Sequence, residues 1–390
     1  MMKLYDTASK AHKIFNPAKS VGIYVCGITP YDSAHLGHIF TFMTYDLIQR
    51  RLEDTGHEVK MVRNITDVDE PIYKKAAQLH IDYRELASQE IKRFETVMTA
   101  LDFRPLFVQP KASEYIYQIV DAVKILFSHG FAYRVEEDIY FDVSKDPKFG
   151  EFSNLPEGLA VKFMQKRGGD PYREGKRSPM DFLLWKGITD PNDPAAWDTD
   201  IGHGRPGWHI ECSVMSYTLL DTPFDLHGGG NDLIFPHHEC EIAQTRAIRH
   251  TDLAQHWLHV APIIYLGEKM SKSLGNMIFV EDLLKSYSPA AIRLSLMHYD
   301  YREGGEWVPD LLDESTNLLD KLNHSFSHST PEAASDLLEC IRSAIDDDLD
   351  THTVIHLLED FCEDNNTSRS SKDVAQAKAY VDKCRGLLGI

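Results

Sequence analysis

Long apolar runs are missing from this sequence, and so is a basic, apolar N-terminal segment of the kind that directs secretion. A membrane-spanning helix needs about 20 consecutive apolar residues, and a secretory signal needs a charged start followed by an apolar stretch. We therefore expect a protein with no membrane span and no membrane partner, located in the cytoplasm.

Cysteine is scarce. The chain has six, at positions 26, 212, 240, 340, 362 and 384. They are too few and too scattered for the disulfide framework of a small secreted domain. Metal ligation or simple burial is the expected use of each.

Positive charge is also in short supply, because 41 Lys and Arg residues stand against 60 Asp and Glu residues, a net charge of −19. From Val308 to Ile390 there are 7 basic and 17 acidic residues, a balance of −10. Proteins that bind nucleic acid usually present a basic surface. The C-terminal part is therefore a poor platform for tRNA, although a net charge says nothing about a single local patch.

The remaining composition is that of an ordinary globular chain, with 43% hydrophobic and 10% aromatic residues, and at this length two or three domains are expected. Apolar runs at Val21–Cys26 and Glu58–Ile65 predict buried strands on either side of a helical pattern, an order typical of a βαβ unit in a parallel sheet. Residues 144–205, rich in Gly, Pro, Asp and Lys, predict a loop-dominated segment. After residue 280 the pattern is helical.

Two stretches carry candidate chemistry. The first predicted strand turns through CGITPYD into a helix that begins with HLGH, at His35, Gly37 and His38. Such a turn directs backbone N–H groups at an anion, and a glycine without Cβ lets a ligand ring lie against the backbone. The second stretch is KMSKS, Lys269–Ser273, whose lysines can stabilise a polyphosphate as its charge redistributes.

HLGH alone is short enough to arise by chance or from core packing. With KMSKS, in this order and in this strand and helix context, it resembles the signature of class I aminoacyl-tRNA synthetases. The resemblance implies an α/β fold with a class I synthetase-type, Rossmann-like parallel sheet. It also implies activation of an amino acid by ATP with Mg²⁺, giving an adenylate and pyrophosphate. The catalytic residues that it implies are His35, His38, Lys269 and Lys272.

On that reading, residues 1–305 form the catalytic domain, with an insertion at about residues 100–205, and residues 306–390 form an acidic helical C-terminal domain.

A metal centre is suggested by Cys26 after the first strand, Cys212 in PGWHIECSVM and His237 in GGGNDLIFPHHECE. Cysteine and histidine are the ligands that Zn²⁺ prefers, but by spacing alone the three could equally be core residues. Glu241 lies four residues after His237, on the same helix face.

The blocks around these residues resemble the cysteine branch of class I synthetases, in which zinc binds the substrate thiolate. The resemblance implies one Zn²⁺ per chain, held by Cys26, Cys212 and His237. Glu241 is either a fourth ligand or an outer partner. A metal suits the task, because a packing pocket gains only about 1–3 kcal/mol from so small a difference as that between serine and cysteine.

Further blocks are similar to those of the cysteine ligases of mycothiol biosynthesis: HLGH after CGITPYD, NITDVDEP with Pro71, and RGGDP at Arg167–Pro171, followed by DFLLW. This family resemblance implies L-cysteine, ATP and glucosaminyl-inositol as partners, with tRNA disfavoured and a monomer expected. The alternative is a shortened cysteinyl-tRNA synthetase. Glu241 is a departure from the ligase pattern and matches the tRNA enzymes instead.

The resemblance also implies a binding site for ATP and the cysteinyl-adenylate. Its residues are Cys26, Gly27, Ile28, Thr29, Gly37, Thr41, Asn64, Ile65, Thr66, Trp208, Gly230, Asn231, Asp232, Ile263, Met270, Ser271 and Ser273. Thr41 and Thr66 could instead be capping residues, and Trp208 could be a core residue. Asp170 is a candidate for contacting the acceptor. The sequence does not identify the base that deprotonates the acceptor amine.

Overall fold

A computed structural model of the chain describes residues 1–31, 33–270, 274–363 and 371–390. The strands are β1 Met2–Asp6, β2 Ala11–Phe15, β3 Ser20–Ile28, β4 Glu58–Ile65, β5 Ala132–Val135, β6 Asp138–Phe141, β7 Phe182–Gly187, β8 Trp197–Thr199, β9 Gly202–Pro206, β10 Phe224–Gly230, β11 Ala254–Val260, β12 Ile263–Tyr265, β13 Glu268–Lys269 and β14 Gly305–Glu306. The α-helices are α1 Leu36–Asp54, α2 Glu70–Leu79, α3 Tyr83–Ala100, α4 Ile116–Ser128, α5 Glu157–Lys166, α6 Trp208–Leu219, α7 Glu239–Arg249, α8 Val280–Leu283, α9 Pro289–Met297, α10 Leu311–His328, α11 Pro331–Asp346, α12 Thr351–Glu363 and α13 Ser371–Leu388. Among the described residues, no helix combines the length and the apolar character needed to cross a membrane.

The central sheet has four parallel strands in the order β11-β10-β3-β4. The predicted βαβ unit is present, since α1 connects β3 to its parallel neighbour β4. Val21, Ile23 and Val25 of β3 are all buried, as expected for a parallel strand covered on both faces. The carboxyl ends of β3, β4 and β10 lie together at one edge, the position at which open α/β sheets bind ligands.

The ends of β3 and β4 approach each other closely at Gly27. A Cβ atom at this position would lie 1.7 Å from the backbone oxygen of Asn64, and the pairing of the two strands becomes irregular between Val25 and Ile28. Glycine is required there because no side chain fits. This close approach brings the CGIT segment against the start of the NITD segment.

The segment 144–205 is loop-dominated, as predicted, since most of its residues lie in turns and irregular segments. It contains α5 and three strands that complete a five-stranded sheet in the order β5-β6-β7-β9-β8. The strands are short, and β7 pairs with β6 from outside the segment, so the local sequence carries little periodicity. Directly before this segment, β5 and β6 form an antiparallel hairpin. Residues 1–20 contain the antiparallel pair β1 and β2.

The C-terminal helices pack on the same core as the central sheet, which includes residues from Met2 to Leu388. Arg293 of α9 donates to Asp46 of α1 at 2.6 Å and to the Leu388 oxygen at 2.9 Å. Arg50 of α1 donates to the Gly386 oxygen at 2.6 Å. Helix α1 is therefore hydrogen-bonded directly to α13, the last helix of the chain. The domain boundary at residues 305 and 306 stays a prediction.

Candidate active site and metal centre

Four donor side chains meet at the carboxyl edge of the central sheet. The ligand atoms of Cys26, Cys212, His237 and Glu241 all lie within 4.8 Å of one another. Cys26 is in β3, Cys212 in α6 and Glu241 in α7, while His237 belongs to a π-helical turn at Ile234–His238. All four side chains are buried. The fold thus brings together the three residues predicted as ligands and also places Glu241 among them.

Several ligand atoms in this cluster have no hydrogen-bond partner in the described part of the chain. Neither carboxylate oxygen of Glu241 has a hydrogen bond, nor does Nε2 of His237, although imidazole nitrogens of His227, His237 and His238 lie 3.5, 3.8 and 3.7 Å from Glu241. Burial raises the pKa of Glu241 and of the Cys26 thiol well above their usual ranges. An uncompensated buried carboxyl group is costly, and a cation would satisfy these donors and favour their charged forms. The residues fit a metal ion.

A second donor set overlaps the first. Cys26, His227, His238 and Glu241 also place their ligand atoms within 4.8 Å of one another. Other imidazoles hold the cluster, since Nδ1 of His209 lies 2.9 Å from Nδ1 of His237 and Nδ1 of His238 lies 2.7 Å from Nε2 of His259. Such outer contacts orient metal ligands.

The surrounding histidines His209, His227 and His259 were missed by sequence reasoning. His209 lies inside GWHIEC, and His227 directly precedes the three glycines of GGGND. Their positions in these motifs are the sequence feature that indicates a place near the donor cluster.

Trp208 is not a core residue. It is half-exposed at the start of α6, and its indole stacks on the His237 ring with centroids 4.2 Å apart and an interplanar angle of 23°. Its indole therefore lies against one member of the donor cluster and is partly open to solvent. This position suits a wall of the cysteine site.

The HLGH histidines lie at the beginning of α1. The rings of His35 and His38 stack with centroids 3.7 Å apart, and a Cβ at Gly37 would lie 3.1 Å from the His35 ring. Burial lowers the pKa of His38 well below its usual range, and the nearby His35 and Lys269 lower it further. His38 is thus a neutral imidazole at physiological pH, able to donate an N–H without carrying charge. Thr41 donates to the Gly37 oxygen at 3.1 Å, within the first turns of the helix.

Lys269 reaches the end of β10 from the KMSKS stretch. Its ammonium lies 2.9 Å from the Asp232 carboxylate, which also binds Arg167 of the insertion. Burial by itself would raise the pKa of Asp232, but the charges of Lys269 and Arg167 outweigh it and lower that pKa to about 2. Met270 is buried. Ser271, Lys272 and Ser273 lie outside the described residues, so their predicted roles stay predictions.

The predicted adenylate residues of β3 and β4 form one hydrogen-bonded edge. The Asn64 amide accepts from Gly27 N–H at 2.9 Å and donates to Thr66 at 3.1 Å. Asp69, not Thr66, caps α2, so the structure does not support the capping alternative for Thr66. Ile28 and Ile65 are buried beside them. The other predicted positions lie at the ends of neighbouring elements: Thr29 after β3, Gly230 and Asn231 at the end of β10, and Ile263 at the start of β12.

Asp170 is not brought to this edge by any described hydrogen bond. It is exposed, its carboxylate accepts from Tyr172 N–H at 3.3 Å, and its carbonyl accepts from Lys176 at 2.9 Å. The residue of RGGDP that does contact the site is Arg167.

Comparison with known proteins matches residues 13–317 to the family described as tRNA synthetases class I (C) catalytic domain. A protein of Nocardiopsis dassonvillei named L-cysteine:1D-myo-inositol 2-amino-2-deoxy-alpha-D-glucopyranoside ligase is 39% identical over 99% of this chain and 95% of its own length. A protein of the same name from Thermobifida fusca is 42% identical over 93% of this chain and 88% of that protein. The structure of Mycobacterium tuberculosis methionyl-tRNA synthetase with methionyl-adenylate is similar with a TM-score of 0.67 at 16% identity, covering 95% of this chain and 90% of the other. The last similarity shows a common fold.

Proposed function

Since this chain belongs to the family of L-cysteine:1D-myo-inositol 2-amino-2-deoxy-alpha-D-glucopyranoside ligases, enzymes with a class I synthetase catalytic domain that form a carbon–nitrogen bond, we propose that it activates L-cysteine with ATP and joins it to the amine of glucosaminyl-inositol. The observation that carries this proposal is the buried Cys26–Cys212–His237–Glu241 cluster at the sheet edge that also bears HLGH. One site can thus hold the cysteine side chain and the ATP phosphates.

In the first half-reaction, the cysteine carboxylate attacks the α-phosphorus of ATP in line, and pyrophosphate leaves with Mg²⁺. Catalysis of such a step depends on positioning and on charge stabilisation. His35 and His38 donate hydrogen bonds to the phosphate oxygens at the transition state. Lys269, together with Lys272 by family resemblance, binds the departing pyrophosphate. In this step Lys269 exchanges its carboxylate partner Asp232 for the phosphates.

Zn²⁺ is the proposed resident metal, held by Cys26, Cys212 and His237, with Glu241 close enough to be a fourth donor. Two thiols and an imidazole form a donor set that suits zinc. When bound there, zinc would hold the substrate's sulfur as a thiolate, which serine cannot supply. Trp208 and the buried histidines exclude water around the cluster and keep His237 oriented.

In the second half-reaction, the acceptor amine attacks the carbonyl carbon of the cysteinyl-adenylate, an amide bond forms and AMP leaves. The acidic C-terminal helices are compatible with a small acceptor, because no polyanion has to bind to them.

The test is to measure AMP release from ATP and L-cysteine in the presence of glucosaminyl-inositol or of deacylated cysteine tRNA. We expect the amino-sugar alone to stimulate AMP release. Stimulation by tRNA alone would identify a shortened cysteinyl-tRNA synthetase. Pyrophosphate exchange with no response to either acceptor would mean that the acceptor is wrong while the activation chemistry is right.

A further inference from the structure

A half-buried carboxylate stands beside the adenylate edge and takes no part in the chemistry described above. Asp69 follows β4, and one of its oxygens caps α2 by accepting the Glu70 N–H at 2.8 Å. The other accepts from the Thr29 hydroxyl at 3.4 Å. Thr29 lies three residues after the proposed metal ligand Cys26. Asp69 is therefore held by a residue directly after β3 and by the first residue of α2, with part of its surface open to solvent.

A second acidic side chain extends this neighbourhood inward. Glu211 in α6 is fully buried, and neither of its carboxylate oxygens has a hydrogen-bond partner in the described part of the chain. Asp69 lies close enough to Glu211 to act on it electrostatically. The Tyr73 hydroxyl, which interacts with both, is likewise buried without a hydrogen-bond partner. Buried polar groups are normally hydrogen-bonded, and the Glu211 carboxylate and the Tyr73 hydroxyl lack such partners among the described residues.

The cations closest to this group are already paired. Arg205 of β9 and Lys186 of β7 both bind Glu70, and the Arg205 guanidinium lies over the Tyr73 ring at 4.6 Å. Arg205 also lowers the pKa of Asp69, but its effect is the smallest of those that shift this pKa. Ser113 donates two hydrogen bonds to the Asp67 carboxylate, from its backbone N–H at 2.9 Å and from its hydroxyl at 2.6 Å. Asp69 thus has no ion pair in the described part of the chain and keeps part of its surface open to a cationic ligand.

Resting on the proposed function, we propose that Asp69 is the catalytic residue that binds the ammonium group of the acceptor and accepts its proton. An amino-sugar arrives protonated at neutral pH, and its nitrogen has no lone pair until it loses a proton. Removal of this proton is the step for which the sequence did not identify a base.

Asp69 takes one proton from the ammonium, and the freed lone pair on nitrogen forms the C–N bond with the adenylate carbonyl carbon. The bond between that carbon and the phosphate oxygen breaks, and its electron pair leaves on AMP. The second nitrogen proton is lost to water as the amide forms. Asp69 then returns its proton to solvent.

The protonation equilibrium of Asp69 suits this role. Burial raises the pKa of Asp69 to about 6, against the lowering effects of the Glu70 N–H and the Thr29 hydroxyl. A general base is most effective when its pKa lies near the working pH. The carboxylate is ionised above pH 6 and still basic enough to accept a proton. At saturating acceptor, amide formation should slow as the pH falls through about 6.

The test uses Asp69→Asn in the full chain, because asparagine keeps the helix cap and loses the base. Cysteinyl-adenylate is formed on the enzyme and trapped either with glucosaminyl-inositol or with hydroxylamine, an amine that is largely unprotonated at neutral pH. We expect the rate constant for amide formation to fall about 10²–10⁴-fold. The remaining rate should no longer decrease as the pH falls through about 6. Hydroxamate formation should fall by far less. Glu70→Gln is the matched control, since it removes an adjacent carboxylate that is already paired, and it should change both rates by less than about fivefold.

An Asp69→Asn enzyme that forms the amide at the wild-type rate would overturn the inference. Equal losses of amide and hydroxamate would also overturn it, because they would place Asp69 in adenylate formation or in folding. If the wild-type enzyme forms hydroxamate but no amide with the amino-sugar, the proposed acceptor is wrong and the inference falls with it. That failure is seen in the wild type, so it is distinguishable from the failure of Asp69 alone.

Discussion

At the scale of single residues, the cysteines show how position decides use. Cys212 and Cys240 are both fully buried, but Cys212 shares a donor cluster with Cys26 and His237, whereas Cys240 packs in the apolar core between the insertion and α7. A buried cysteine in an apolar core behaves as a small hydrophobic residue. The two positions therefore form a matched pair for testing the metal centre.

We expect Cys212→Ala to lose metal and selectivity together. Without one thiolate the ion should bind at least about 100-fold more weakly, and the preference for cysteine over serine should fall to the roughly 10–200-fold that packing alone supplies. Metal content by mass spectrometry and amino-acid-dependent pyrophosphate exchange measure both effects. Cys240→Ala should keep the metal and the preference. A Cys212→Ala protein that retains both would refute the metal assignment.

We expect His38→Ala to slow adenylate formation by about 10²–10³-fold in kcat with a smaller change in KM, because the lost hydrogen bond is strongest in the transition state. His38→Gln keeps an N–H donor and should lose less. Both are measured by pyrophosphate exchange over a range of ATP concentrations. Equal losses in the two variants would argue that the imidazole supports packing rather than phosphate binding.

At the scale of elements, the fold of the site depends on the contact between the ends of β3 and β4. The parallel pair and the class I synthetase-type fold were predicted from apolar runs and motifs, and both are confirmed. The apolar stretch Trp257–Tyr265 is divided in the structure between β11 and β12, which belong to different sheets. The break at Ala261 and Pro262 separates the central sheet from the strands that carry the start of KMSKS.

We expect Gly27→Ala to destabilise the protein by about 1–3 kcal/mol or more, because its Cβ would overlap the Asn64 carbonyl and push β3 from β4. Chemical denaturation monitored by circular dichroism measures this loss. Gly158→Ala is the control, since its Cβ meets nothing within 4 Å in α5 and alanine favours a helix by about 1 kcal/mol. If Gly27→Ala is as stable as the wild type, the close approach of the strands is not obligatory.

At the scale of the whole molecule, a buried charge cluster joins the catalytic sheet to the C-terminal helices. Asp46 binds Arg50 at 2.7 Å and Arg293 at 2.6 Å, and all three side chains are at most 2% exposed. Burial raises the pKa of Asp46, but the two guanidinium groups outweigh it and hold that pKa below its usual value. Because the pKa of Asp46 is lowered in the folded state, the stability that its ion pairs contribute is fully present above about pH 4. That stability is lost as the pH falls further.

We expect Arg293→Met to cost about 3–5 kcal/mol, because it leaves part of a buried charge uncompensated. The sheet and the C-terminal helices should still unfold in one transition, since they share a core. Denaturant unfolding followed by two probes measures both points. Lys285→Met is the control: its pair with Asp282 is exposed at 72% and 63%, so its loss should change stability by less than about 1 kcal/mol. Two separate transitions in the wild type would contradict the shared core.

The sequence by itself determined the features that depend on local pattern. Apolar runs and helical spacing predict β3, α1 and β4 because they depend on neighbouring residues. Short motifs give His35, His38 and Lys269 as candidate catalytic residues because each motif is contiguous. The cysteines and His237 were recognised from their blocks for the same reason.

Only the tertiary structure decided what depends on distant residues. In the sheet of the insertion, β7 pairs with β6 and with β9, which are distant from it in the chain, so no local pattern predicted these pairings. Glu241 enters the donor cluster because β3, α6 and α7 converge. Asp69 and Glu211 are 142 positions apart in the sequence, and their shared environment exists only because α6 packs against the end of β4. Burial changes what a carboxyl group can do, and burial is a property of the folded chain.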